Sequence, residues 1–280
     1  MGHDVVAPHK KEPYMKQHAR SRRTPRRAFV LVAAPALTLG LVPSVHSASA
    51  APAKPAACPA PAAAIGLSKA WKLQLPLPTS SGSPQEVKQP ALATYNSSPW
   101  FTTKSTCDAI LMRAAVNGAT TSNSGYPRSE LREMTADGSG NASWPSTSGT
   151  HTMVFDEAIT HLPKEKPHVM AGQIHDSDSD VTSFRLEGTS LYITSYNTTH
   201  YKLVTSNYQL GTRFQGKFVA HDGKVDVYYN GALKATVAAE FSSGYFKAGD
   251  YTQANCTNSA PCSSSNYGEV ALYSVKVTHS

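Results

Sequence analysis

The chain has 280 residues and a formal charge of +7, but residues 1–50 hold eight of the 26 Lys/Arg and only two of the 19 Asp/Glu. The remainder carries 18 basic and 17 acidic residues, a net charge of about +1. The basic balance therefore belongs to the leader and gives no argument for a nucleic-acid partner. Any attraction to a polyanion must come from local placement of Arg and Lys.

In chain order, a basic stretch (10–27) precedes an apolar run (29–42) and then Ala48-Ser49-Ala50. That order predicts a signal peptide over residues 1–50 and a secreted, extracellular product. The apolar run is about 14 residues, short of the roughly 20 that a spanning helix needs, so no membrane association is expected once the leader is removed. Arg26-Arg27-Ala28-Phe29-Val30 is similar to a twin-arginine signal; the alternative is an ordinary leader with a long basic front. Residues 51–64 are rich in Ala and Pro and read as a linker or strap. About 230 residues follow the leader, enough for one core.

From Trp71 onward the texture is uniform. Apolar and polar residues alternate over 71–75, 152–155, 183–186, 191–195, 213–219, 224–229, 232–237 and 269–277, the period of half-buried strands. Asp222-Gly223 and Asn230-Gly231 separate such runs and predict tight hairpins. Residues 106–116 read either as a turn of helix or as a strand with Met112 and Ala114 on one face. The pattern predicts an all-β fold: a two-sheet antiparallel sandwich of the jelly-roll kind with a substrate groove, forming one domain over 65–280. A monomer is expected.

Four cysteines allow three pairings. The short interval and the turn-forming Asn258 and Pro261 favour Cys256–Cys262, with Cys58–Cys107. No pair has the spacing of a zinc site, so neither a metal nor another cofactor is expected. Asp176, Asp178, Asp180 and Glu187 match some calcium-loop positions, but Val181 stands where the sharp turn requires Gly. An acidic surface loop is the default there.

Three stretches carry candidate chemistry. In Arg128-Ser129-Glu130-Leu131-Arg132, a strand puts Arg128, Glu130 and Arg132 on one face. In Gln173-Ile174-His175 the same parity pairs Gln173 with His175 and buries Ile174. In residues 245–253, Lys247, Tyr251 and Gln253 share a face opposite Phe246 and Ala248. Each alone also reads as a solvated face, a surface histidine or a packing tyrosine. Together and in this order they resemble the alginate lyases of polysaccharide lyase family 7, which show R-[ST]-E-L-R, Q-[IV]-H and Y-F-K-A-G-x-Y-x-Q strands. Trp71-Lys72-Leu73-Gln74-Leu75-Pro76 is similar to that family's first strand.

The resemblance implies β-elimination on a polymer of mannuronate and guluronate. The C5 proton beside a carboxylate is hard to remove unless positive charge and hydrogen bonds stabilise the carboxylate as it gains charge. Arg128 and Gln173 are assigned that task, His175 the proton abstraction on guluronate, and Tyr251 proton donation to the leaving oxygen. On mannuronate, whose C5 proton lies on the other face, Tyr251 is expected to do both jobs, with Lys247 or Arg132 nearby to stabilise its phenolate. Glu130 is expected to orient the arginines. Glu130, Arg132, Lys247 and Gln253 form the expected substrate-binding set. Ile174 implies a preference for guluronate-containing blocks, and an open-ended cleft implies endolytic cleavage. The competing expectations are a lyase of another polyuronate, a glycoside hydrolase, and a non-catalytic carbohydrate-binding sandwich. A hydrolase requires two carboxylates flanking the bond. A binding module favours exposed aromatics.

Overall fold

The computed structural model describes residues 57–280; the expected leader and the first part of the Ala/Pro-rich segment lie outside them. A one-turn helix, α1 (Pro61–Ala64), opens the described chain, and a short 3-10 turn spans Ala91–Ala93. The strands are β1 (Trp71–Pro78), β2 (Pro84–Val87), β3 (Phe101–Thr103), β4 (Ile110–Ala115), β5 (Arg128–Glu133), β6 (His151–His161), β7 (His168–His175), β8 (Asp180–Glu187), β9 (Ser190–Ser195), β10 (Thr198–Thr205), β11 (Phe214–His221), β12 (Lys224–Tyr229), β13 (Ala232–Ala238), β14 (Tyr245–Thr252) and β15 (Tyr267–His279). They form two antiparallel sheets, in the orders β10-β9-β8-β7-β14-β5-β1-β2 and β13-β12-β11-β6-β15-β4-β3. This is the jelly-roll sandwich that the alternating pattern predicts.

The alternation decides which side of each strand is dry. Trp71, Leu73 and Leu75 are buried in the inter-sheet core, while Lys72 and Gln74 face the opposite side of β1. The open alternative for residues 106–116 resolves as strand β4, with Met112 and Ala114 fully buried. Both predicted hairpins form. Asp222 and Gly223 take φ of 47° and 69°, Asn230 and Gly231 take 50° and 79°, and the flanking residues pair directly, His221 with Lys224 and Tyr229 with Ala232. Two left-handed central residues match the twist of the strands they join. The expected disulfides, Cys58–Cys107 and Cys256–Cys262, are present. The first fastens the segment before α1 to the β3–β4 connection.

A bulge at Gly172 controls what β7 presents. On its N-terminal side Val169 and Ala171 face the core and Met170 faces outward; beyond it Ile174 faces the core while Gln173 and His175 face outward. The pairing with β8 slips by one residue between Ala171 and Gln173, which is what an extra residue in one strand does. Gly172 has φ of 63°, and a Cβ there would overlap the Phe155 ring of the facing sheet. Gly172→Ala is expected to lower the unfolding free energy by about 2–4 kcal/mol, from overpacking and the left-handed backbone. Denaturant melts measure this; a loss under about 0.5 kcal/mol, the range of neutral surface changes, would contradict it.

Candidate active site

Strands β5, β14 and β7 are neighbours in the middle of the eight-stranded sheet, and their register sets out the polar face in rows. Arg128 lies across from Tyr251, which lies across from Met170. Beyond the row in which Glu130 lies between Gly249 and Gln74, a row runs over four strands: Gln173, Lys247, Arg132 and Lys72. Tyr245 stands beside His175 in the row after that. Adjacent strands are about 4.8 Å apart, so head groups from three distant stretches of sequence meet above one sheet. They line a groove of about 400 Å³ that includes Arg128, Gln173, His175 and Tyr251.

Each head group is held in a defined way. His175 Nδ1 lies 2.6 Å from the carbonyl oxygen of Asp176. A carbonyl accepts, so Nδ1 carries the proton and Nε2 keeps its lone pair. The ring stacks on Tyr245 at 5.3 Å and 17°. Burial holds the His175 pKa below the ordinary histidine value, and the Lys247 and Arg128 cations add to this against the Asp176 carbonyl. His175 is therefore neutral at pH 7. Tyr251 Oη lies 2.7 Å from Ser124 Oγ, and the Arg128 guanidinium stacks 3.8 Å from the centre of its ring. Arg128 Nε is buried and has no partner among the described residues.

Glu130 lies across from Gly249, which leaves no side chain above it. Its carboxylate leans over that gap, accepts a hydrogen bond from Gln173 Nε2 and sits 2.7 Å from Lys247 Nζ. Because a carboxylate only accepts, this contact fixes the Gln173 amide with its nitrogen inward. One N–H remains free, and Oε1 is unpartnered among the described residues. Lys247 is 5% exposed and its pKa is pushed down to about 8, first by burial and then by Arg128, against the pull of Glu130.

The other expected residues are placed as follows. Glu130 is 1% exposed and is not among the residues lining the groove; its carboxylate contacts Gln173 and Lys247. Nor does it orient both arginines. Arg128 Nη1 is 3.7 Å from it, whereas Arg132 donates to the Glu133 carbonyl at 2.6 Å and stacks 3.9 Å from the Tyr245 ring centre. The cation against Tyr251 is Arg128, not Arg132; Lys247 is 5.9 Å from that ring centre. Gln253 lies past the end of β14 and lines a second, adjoining depression. In the acidic loop, Asp176 Oδ1 accepts the backbone N–H of Asp178 and of Ser179, which closes the turn from within.

The groove also contains residues that the motifs did not single out. Lys72 and Gln74 on β1 line it, and Lys72 pairs with Glu86 of β2 at 2.8 Å. The Tyr245 ring is stacked against both the Arg132 guanidinium and the His175 imidazole. The period-2 parity of Trp71-Lys72-Leu73-Gln74-Leu75 already puts Lys72 and Gln74 on the polar face. What it lacks is the neighbour of β1, and the structure supplies that neighbour as β5.

A hydrolase needs two carboxylates flanking the scissile bond; Glu130 lies beneath the floor, and of the carboxylates that line the groove, Glu86, Asp178 and Asp180, Glu86 is paired with Lys72. A neutral imidazole, a phenol and clustered cations above a strand-built floor mark a polysaccharide lyase. The alginate lyase family profile matches residues 65–279, and the chain belongs to that family, polysaccharide lyase family 7. Among solved structures, the alginate lyase from Corynebacterium sp. is 61% identical, over 80% of this chain and 99% of that one, with a TM-score of 0.77. The alginate lyase AlgAT5 of polysaccharide lyase family 7 is 47% identical over 79% and 99%, with a TM-score of 0.74. The lyase AlyA1 from Zobellia galactanivorans is 26% identical over 79% and 100%, with a TM-score of 0.65. No curated protein sequence matches the chain.

Proposed function

We propose that the protein is a secreted, endolytic alginate lyase that cleaves guluronate-containing blocks by β-elimination, with residues 65–280 as its catalytic domain. The observation that carries this reading is the row geometry: a free imidazole nitrogen, a phenol and a guanidinium meet over one stretch of floor. Arg128 and the free N–H of Gln173 bind the uronate carboxylate and stabilise it as charge develops. His175 Nε2 takes the C5 proton of guluronate. The C5–H electron pair forms the C4=C5 double bond, the C4–O bond breaks, and Tyr251 protonates the departing oxygen. On mannuronate, Tyr251 faces the C5 proton, and the Arg128 cation stacked on it supplies the nearby positive charge. Arg132, Lys247 and Lys72 extend the cationic row toward neighbouring carboxylates.

The test is ultraviolet absorbance of the new double bond on polyguluronate, with product sizes followed over time. Rising absorbance with early products of mixed length is expected. Reducing ends without absorbance would make the protein a hydrolase, and neither signal would leave a binding module. A second expectation concerns alkaline pH. Lys247 loses its proton as pH passes about 8, removing one positive charge from the groove. KM for polyguluronate should therefore rise across that range, as initial rates will show; a flat KM would contradict the assignment.

A further inference from the structure

Between the row Lys247–Gln173–Ser183 and the row Tyr251–Met170–Arg185, β14 advances four residues, β7 three and β8 two. Each strand thus carries one residue more than its neighbour, which is two bulges side by side. One is at Gly172. The other is at Gly249, whose φ of 121° favours glycine and where a Cβ would lie 2.6 Å from Met112 Cε. Lys247 and Tyr251 stand two residues to either side of Gly249, so the shape of this bulge sets their spacing along the groove.

Both bulges rest on one strand of the facing sheet. β6 places the Phe155 ring under Gly172 and, two residues on, the Glu157 carboxyl under Gly249. The Gly249 N–H donates across the core to Glu157 Oε1 at 2.9 Å. A backbone N–H turned inward at a bulge needs an acceptor, and an apolar side chain cannot supply one. Glu157 is fully buried. Burial pushes its pKa well above the usual carboxylate range, with Glu130 adding to this against the Gly249 N–H, so it stands as a neutral carboxyl. Its Oε2 has no partner, and the Gly249 N–H is its only hydrogen-bond partner among the described residues. That one contact is what a carboxyl supplies at this place in the core and a leucine would not.

We propose that Glu157 is a positioning residue for the groove: from the opposite sheet, its carboxyl holds the Gly249 amide and so fixes the bulge that spaces Lys247 from Tyr251 and lets the Glu130 carboxylate reach both Lys247 and Gln173. The inference rests on the groove being the lyase centre. Glu157 touches no substrate and acts through Gly249.

The test compares Glu157→Gln, Glu157→Met and Glu157→Asp with the unsubstituted protein on polyguluronate. Gln keeps an oxygen that can accept from Gly249, so kcat should stay within about twofold. Met fills the same space without a comparable acceptor, and Asp keeps a carboxyl that stops one methylene short. Both should lower kcat about 10- to 100-fold, as small displacements of reacting groups do. The pH dependence gives a reading that lost stability alone would not move. Arg128 and Arg132 favour neutral Lys247 and Glu130 favours its charged form, with Asp180 and His175 also within electrostatic reach. Once Glu130 is no longer held against it, Lys247 loses its proton more readily. The KM rise expected near pH 8 should therefore move to lower pH in the Met and Asp variants and stay in place in the Gln variant. A kcat lowered about tenfold or more by Gln, or kept within about twofold by Met or Asp, would overturn the positioning role, as would an alkaline rise that neither Met nor Asp moves. Where Met does not fold, Gln and Asp decide by the same criteria. Absence of lyase activity in the unsubstituted protein would overturn the proposed function and this role together; normal activity there with any of the contrary results would overturn this role alone.

Discussion

Tyr251→Phe should lower kcat about 10³-fold on polyguluronate, polymannuronate and mixed blocks alike, within the roughly 10²–10⁴-fold that a positioned acid contributes. The substitution removes one oxygen. It leaves the ring on which Arg128 stacks at 3.8 Å, so the floor of the groove and its cations stay in place. The Ser124 hydroxyl loses its 2.7 Å partner but sits in a part-buried loop where water can replace it. The loss should therefore fall on kcat, with KM close to its original value. Because every block type must expel the C4 oxygen, no substrate should escape. Turnover within a few-fold of the original would remove Tyr251 from the mechanism.

His175→Ala should separate the block types. On polyguluronate activity should fall about 10²–10⁴-fold, since the variant has no base on that face. On polymannuronate the loss should be much smaller, because Tyr251 acts there. The pH dependence gives an independent reading. In the proposed mechanism His175 is the neutral base, and burial holds its pKa below the ordinary 6.5. The acid limb of kcat/KM on polyguluronate should therefore lie below pH 6.5: the base stays available as pH falls from 7 and is lost only when the imidazole finally protonates. An acid limb above 6.5, or full polyguluronate activity in the variant, would contradict the assignment.

Much of this site was legible in the sequence because strand parity is a local rule. Arg128 and Arg132 flank a residue of the same face, Ile174 separates Gln173 from His175, and both patterns survive in the structure with Leu131 and Ile174 fully buried. What parity cannot show is an interruption of itself. Gly172 takes an extra place in β7, so Met170 and Gln173 share a face although their numbers say otherwise. Nor can parity give cross-strand partners. Arg132 was expected near Tyr251, yet the register places it beside Lys247 and over Tyr245. Parity is equally silent on Gly249, which lies opposite Glu130 and lets that carboxylate fold down onto Lys247 and Gln173. β10 was missed for a different reason: its first six residues are exposed on both faces, and an edge strand with no buried side has no hydrophobic period to read.

The proposed mechanism requires four head groups to act on a single uronate. A crystal of the Tyr251→Phe variant with a guluronate oligomer tests this most directly, since the slowed enzyme holds its substrate intact. The predicted complex has one sugar carboxylate within hydrogen-bonding distance of Arg128 and Gln173, its C5–H directed at His175 Nε2 and its C4 oxygen at the ring edge of residue 251. A sugar bound with its carboxylate on Lys72 and its C5–H turned from the imidazole, or an oligomer seated on the seven-stranded sheet, would contradict it.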